Sequence, residues 1–281
     1  MACIYLLKRI AKFQPVCLNV TSCSTKADCW RQKVHIMQMH LTLSGSQTIL
    51  PLSYQTLVHG AIYHALTKES GYGSQLHNTQ PGADHRTFKG FCFGALTGPY
   101  TIMNGKIMFH NQIQLDIRSI DPYFILSLAS AWPVGSDIRL ANQQLRIVSG
   151  EITDTHITQR QINVSMLSPV AVYRTLDNGK TEFYAPDDPR FYTALVHNAQ
   201  RKWQTFYDDD SFDFSITPLF SGLPKRVFTV FKKTYITGWK GEYRLRGDPA
   251  VLDMLYQVGL GVKNSEGFGM FRTNFSARNR E

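Results

Sequence analysis

The chain contains no Cys-x-x-Cys pair and no His/Cys pair at zinc-ligand spacing, so no structural metal site is written into it. Cysteine is also irregular. Of five, four (Cys3, Cys17, Cys23 and Cys29) lie in the first thirty residues, which excludes an even disulfide framework. The expectation is reduced thiols, no metal, no cofactor and a cytoplasmic setting, with Cys92, alone in an apolar run, a buried small hydrophobe. Long apolar runs are missing too. Lys8, Arg9 and Lys12 interrupt the opening segment too early for a membrane span, and no clear secretory cleavage pattern follows, so no membrane partner is expected. Residues 1–33 are expected to be an extension outside the fold, either disordered or read in from an upstream start, with Met37 a candidate for the real one. Acidic residues fall short of basic ones, 21 Asp and Glu against 30 Lys and Arg, for a formal charge of +9. That surplus favours a polyanionic partner through an attraction that weakens with salt.

What is present suits a folded chain: 281 residues, 43% hydrophobic, leave room for two domains with a core each. Alternation over Val34–Leu43 predicts a half-buried strand, and apolar residues at 54, 57, 58, 61, 62, 65 and 66 predict a helix. A polar loop (68–87) leads to a strand at Phe88–Phe93, and Asn104-Gly105 signals a turn into a strand at Lys106–Ile117. Asp121-Pro122 starts a second helix, and strands at Asp137–Leu140 and Gln144–Ile152 complete the half. Strand, helix, strand, strand, helix, strand is the ferredoxin-like, RRM-like order. The order returns: a strand at Ile162–Tyr173, a long helix from Asp188-Pro189 to about Tyr207, strands near Phe212–Phe220 and Arg226–Thr237, and a helix from Asp248-Pro249. The fold class is therefore α+β, two tandem ferredoxin-like domains over 34–155 and 160–281, closed by a glycine-rich loop and a strand at Phe268–Phe275.

That loop, Gly259 to Gly269, has two Gly-apolar-Gly triplets separated by five residues that include Lys263. It follows a helix and precedes a strand, the reverse of a phosphate-binding or dinucleotide loop. In this pattern the sequence resembles the precursor-CRISPR-RNA endoribonucleases of the Cas-six family, within the RAMP superfamily. The resemblance runs from about Val34 to Phe275 and includes Leu50-Pro-Leu-Ser-Tyr54, Phe91-Cys-Phe-Gly-Ala-Leu96, Leu167-Ser-Pro-Val170, and Asn198 with Lys202-Trp203. It implies two ferredoxin-like domains facing each other across a basic cleft. It also implies metal-independent cleavage of precursor CRISPR RNA within repeats, by attack of the 2′-hydroxyl, leaving a 2′,3′-cyclic phosphate and a 5′-hydroxyl. The implied partners are repeat RNA and, in some assemblies, other CRISPR-associated subunits. The alternative is a RAMP subunit that holds guide RNA in an interference complex and does no chemistry.

By motif position the resemblance implies a catalytic Tyr63, His77 and Lys89, with His85 the rival to His77. These types suit the chemistry: metal-free cleavage needs a base, an acid and a cation for the developing charge. His59 and His64, on the Tyr63 helix, are candidates to touch RNA. Between Lys225 and Arg246 lie seven basic residues, Lys225, Arg226, Lys232, Lys233, Lys240, Arg244 and Arg246, against Glu242 alone. Interleaved Phe228, Phe231, Tyr235, Trp239 and Tyr243 suit base stacking beside phosphate contacts. The expected RNA-binding set is Lys225, Arg226, Lys232 and Lys233, with Gly261, Lys263 and Gly267 holding RNA or the docked domains.

Overall fold

The computed structural model describes residues 38–45, 47–70, 88–231 and 234–274. The first half runs β1 (Gln38–Ser44), β2 (Thr48–Pro51), α1 (Gln55–Ser70), β3 (Phe91–Phe93), β4 (Tyr100–Met103), β5 (Lys106–Phe109), β6 (Ile113–Ser119), α2 (Pro122–Ala131), β7 (Asp137–Leu140) and β8 (Gln143–Thr153). The second runs β9 (Gln161–Met166), β10 (Tyr173–Thr175), β11 (Thr181–Phe183), α3 (Pro189–Tyr207), β12 (Phe214–Pro218), β13 (Lys225–Phe231), β14 (Thr234–Lys240), β15 (Glu242–Gly247), α4 (Pro249–Val258) and β16 (Phe271–Thr273).

All three Asp-Pro signals start helices. The carboxylates of Asp121, Asp188 and Asp248 accept from the N–H groups of Tyr123, Arg190 and Ala250, each at 2.9 Å, and proline takes the first helical position. Each cap satisfies a donor that the helix cannot, a contribution of about 1 kcal/mol.

Both halves form antiparallel sheets in the ferredoxin-like order. In the first, β3-β6-β1-β8 places second, third, first and fourth strands side by side, with β7 added beyond β8; in the second, β12-β15-β9-β16 repeats the arrangement. Alternation decides the faces. Met39, Leu41 and Leu43 of β1 point with Leu115 and Ile117 of β6 into a core under α1 and α2. Val164, Leu245 and Phe271 do the same under α3 and α4.

Several expected strands are divided. The stretch 106–117 is two strands in different sheets. β5 pairs with β4 across Asn104-Gly105, both at positive φ (52° and 70°), and with β2, while β6 joins the main sheet beside β3. His110-Asn-Gln112 makes the break, because the hydrophobic run stops where the chain changes sheet. The single strand expected over 226–237 is a hairpin of β13 and β14 standing apart as its own sheet, and β15 is the third strand of the module. The strand expected to reach Tyr173 ends at Met166, and the last strand is confined to Phe271–Thr273. Val34 to Met37 and Phe275 lie outside the described residues. Among the described residues no helix is long and apolar enough to cross a membrane.

The opposite face of the first sheet is covered by the second half. Arg118, 2% exposed, donates from Nε to Gln38 Oε1 (2.9 Å) and from NH1 to the Phe271 carbonyl (2.6 Å), and its guanidinium lies 3.6 Å from the Tyr256 ring centre. Cys92 is fully buried, as expected, with its thiol toward the Gln257 carbonyl and its pKa pushed up to about 11 by burial.

Candidate functional site

The glycine loop, like α4 before it and β16 after it, packs against the first half. Its backbone is bonded on both sides: Val262 N–H donates to the Ala171 carbonyl (2.9 Å), Gly269 N–H to Pro169 (2.8 Å) and Leu260 N–H to Gly269 (2.8 Å). Asn264 spans it, giving its amide protons to the carbonyls of Leu260 (2.9 Å) and Phe268 (3.1 Å). Gly267, at φ 89°, lies so close to the first half that a Cβ there would stand 2.6 Å from the Phe93 ring and 3.2 Å from Gln55 Cγ. Gly261, at φ 66°, faces the Ala171 carbonyl at a distance that also leaves no room for a Cβ.

Under the loop lies Lys202 of α3, 1% exposed. Its Nζ donates to the carbonyls of Gly259 (2.7 Å) and Gly261 (2.8 Å) and to Asn264 Oδ1 (2.8 Å). Burial pulls its pKa down from 10.5 to about 7. Against that pull, three acceptors match the three N–H donors of an ammonium, and a neutral amine would leave one without a proton.

Above the loop is a cavity of about 240 Å³, lined by Lys89, Phe91, Lys202, Lys263 and Glu266 among others. Lys89 enters it just before β3, and burial lowers its pKa. Lys263, held at φ 65°, gives Nζ to Glu266 Oε1 at 3.0 Å. Tyr63, on α1, packs beside Phe91 of the cavity wall, ring centres 6.1 Å apart. It is 8% exposed, and burial first, then the charge of Glu266, pushes its phenol up to about 12. The phenol is therefore neutral near pH 7: it can donate or orient, and it cannot act as a standing base. His59 packs at a tilt on Tyr63 (4.5 Å) and meets Phe231 of β13 edge-on (5.2 Å), which ties the β13–β14 hairpin to the Tyr63 helix. Among the described residues no three His, Cys, Asp or Glu side chains are grouped to hold a metal ion.

The fold thus brings Tyr63, Lys89, Lys263, Gly261 and Gly267 to one junction between the halves. His77, His85, Lys232 and Lys233 lie outside the described residues. Lys225 and Arg226 are exposed at the far end of β13, six residues from Phe231 and so roughly 20 Å away along the strand. They stand away from the junction and do not line it. Of the five aromatics expected for stacking, Phe231, Trp239 and Tyr243 are core residues, 5%, 7% and 0% exposed. Phe228 and Tyr235 are 62% and 64% exposed and stacked on each other at 5.3 Å.

Sequence reasoning gave Lys202 no role beyond a family likeness. A signal existed: Phe191, Leu195, Asn198 and Lys202 recur at helical spacing, so a lysine falls on the buried stripe of α3. Arg118 gave none, since alternation along β6 puts it opposite the core, where solvent is the default.

Two tandem ferredoxin-like units joined through a glycine-rich loop define the class of fold. A solved RAMP protein binding different RNA substrates has the same fold, with a TM-score of 0.72 at 19% identity over 84% of this chain and 99% of that one. The profile of "CRISPR associated protein Cas6, C-terminal" matches residues 152–273. CRISPR-associated endoribonuclease Cas6 1 of Methanocaldococcus jannaschii is 25% identical over 244 residues, 83% of this chain and 91% of the relative. CRISPR-associated endoribonuclease Cas6 of Pyrococcus furiosus is 33% identical over 116 residues, 41% of this chain and 43% of the relative. Residues 152–273 thus carry the Cas6 C-terminal profile, and the chain is similar to a Cas6 endoribonuclease over most of its length.

Proposed function

We propose that this protein is a metal-independent endoribonuclease that cuts precursor CRISPR RNA within its repeats, with residues 34–155 as the catalytic unit and 160–281 as the RNA-holding one. The observation that carries the reading is the junction of Tyr63 and Lys89 with the loop bearing Lys263, beside a stacked, exposed aromatic pair on a basic hairpin. The 2′-oxygen attacks phosphorus while the P–O5′ bond breaks, leaving a 2′,3′-cyclic phosphate and a 5′-hydroxyl. His77 takes the 2′-proton, being the residue type that exchanges protons near neutrality, and O5′ takes a proton from solvent water as it leaves, the imidazolium returning its own to solvent. Tyr63, neutral with its pKa near 12, orients the reacting ribose phosphate as a hydrogen-bond donor. The Lys89 ammonium meets the negative charge that develops at phosphorus. Lys225, Arg226, Lys232 and Lys233 follow the phosphates outward.

The test is incubation of repeat RNA with purified protein in EDTA. Cleavage to a cyclic phosphate and a 5′-hydroxyl supports the reading; no cut, or one that needs divalent metal, overturns it. Single alanine substitutions at His77, His85 and Lys89 separate nuclease from holder, because a RAMP subunit that only binds guide RNA keeps its function in all three.

A further inference from the structure

We infer that Lys202 is the positioning residue of this site: its ammonium, donating to Gly259, Gly261 and Asn264, fixes the loop whose Lys263 and Glu266 line one cavity with Lys89. The catalytic consequence rests on the endoribonuclease reading, while the geometry stands without it. Lys202 lies on a face of α3 shared with Leu195, Ala199 and Trp203, where an apolar side chain of equal reach would fill the volume at far lower desolvation cost. Among the described residues its partners are neutral oxygens, so no carboxylate offsets that cost.

What the cation does is hold three oxygens together. Two belong to the first glycine triplet and one to Asn264, whose amide in turn holds Leu260 and Phe268 across the loop. Without a donor at their centre the three acceptors repel one another and must seek water, which unfolds the turn. The outer surface of the same turn carries the Lys263–Glu266 pair and sets Gly267 against Phe93, so a displacement at Lys202 reaches the cavity wall directly.

The test compares K202M, which keeps the volume and loses every donor, with K202R, which keeps the cation. In K202M, hydrogen exchange of amides 259–269 is expected to rise at least about tenfold while β1 and β6 are unchanged. Single-turnover cleavage at saturating repeat RNA is expected to slow about 100-fold, the order of loss from a misplacement of about 1 Å. The dissociation constant for RNA with a 2′-deoxy scissile nucleotide should move much less than the rate, and K202R should restore loop protection and part of the rate. Wild-type loop exchange in K202M, or K202R behaving as K202M, overturns the inference. If K202M does not fold, N264A, which removes one acceptor and both loop-spanning donors, decides it: unchanged loop exchange is again the overturning result. Absence of cleavage by the wild-type protein would defeat the endoribonuclease reading alone and leave the exchange measurement to judge Lys202.

Discussion

Replacing Gly267 by alanine tests whether the second glycine triplet docks the two halves. Gly267 sits at φ 89° and ψ 32°, where an L side chain costs about 1–2 kcal/mol. The added Cβ would stand 2.6 Å from the ring of Phe93, which is fully buried, and 3.2 Å from Gln55, which is 7% exposed. Neither can move aside cheaply, and forced overpacking adds about 1–3 kcal/mol. The total, roughly 2–5 kcal/mol, should appear in urea unfolding of G267A, with Tm lowered by at least about 4 °C in thermal scans. Cleavage should fall with it, because the loop cannot retreat from Phe93 without withdrawing Lys263 and Glu266 from the cavity. Stability within about 0.5 kcal/mol of wild type would refute the reasoning and leave Gly267 as a turn residue with no role between the halves.

Two further outcomes follow from the same geometry. With its phenol pushed up to about 12, Tyr63 contributes no titration near neutrality, so Y63F should slow single-turnover cleavage about 100-fold without reshaping the neutral part of the pH–rate profile. Lys89, its pKa lowered by burial, loses its charge as pH rises through a value below the ordinary 10.5; the wild-type rate should fall on that alkaline limb, and K89A should lack it. Along the hairpin, F228A should weaken RNA binding by about 1–3 kcal/mol in a titration, and K225A should reduce the salt dependence of affinity by about one unit of slope. An unchanged salt slope would take Lys225 off the RNA path.

Much of the architecture is legible before folding. Period-2 alternation at Met39, Leu41 and Leu43, helical spacing in α1, and three Asp-Pro starts fix element type because each signal is local: a side-chain direction, a capped N–H, a preset φ. Divided strands were harder to read. Over 106–117 and 226–237 the hydrophobic pattern is compatible with one strand or two, and only the partners settle which.

The sequence by itself determined the order of elements, the duplicated ferredoxin-like module, the placement of Cys92 inside and the family resemblance carried by the Gly259–Gly269 loop. Tertiary structure alone decided that the outward face of β6 is an interior, so that Arg118 is buried against Tyr256, and that the glycine loop closes over a lysine from another helix. The reason is physical. Alternation and spacing specify which way a side chain points, while the three acceptors around Lys202 come from Gly259, Gly261 and Asn264, some sixty residues along the chain, and meet only when α3 and the loop after α4 pack together.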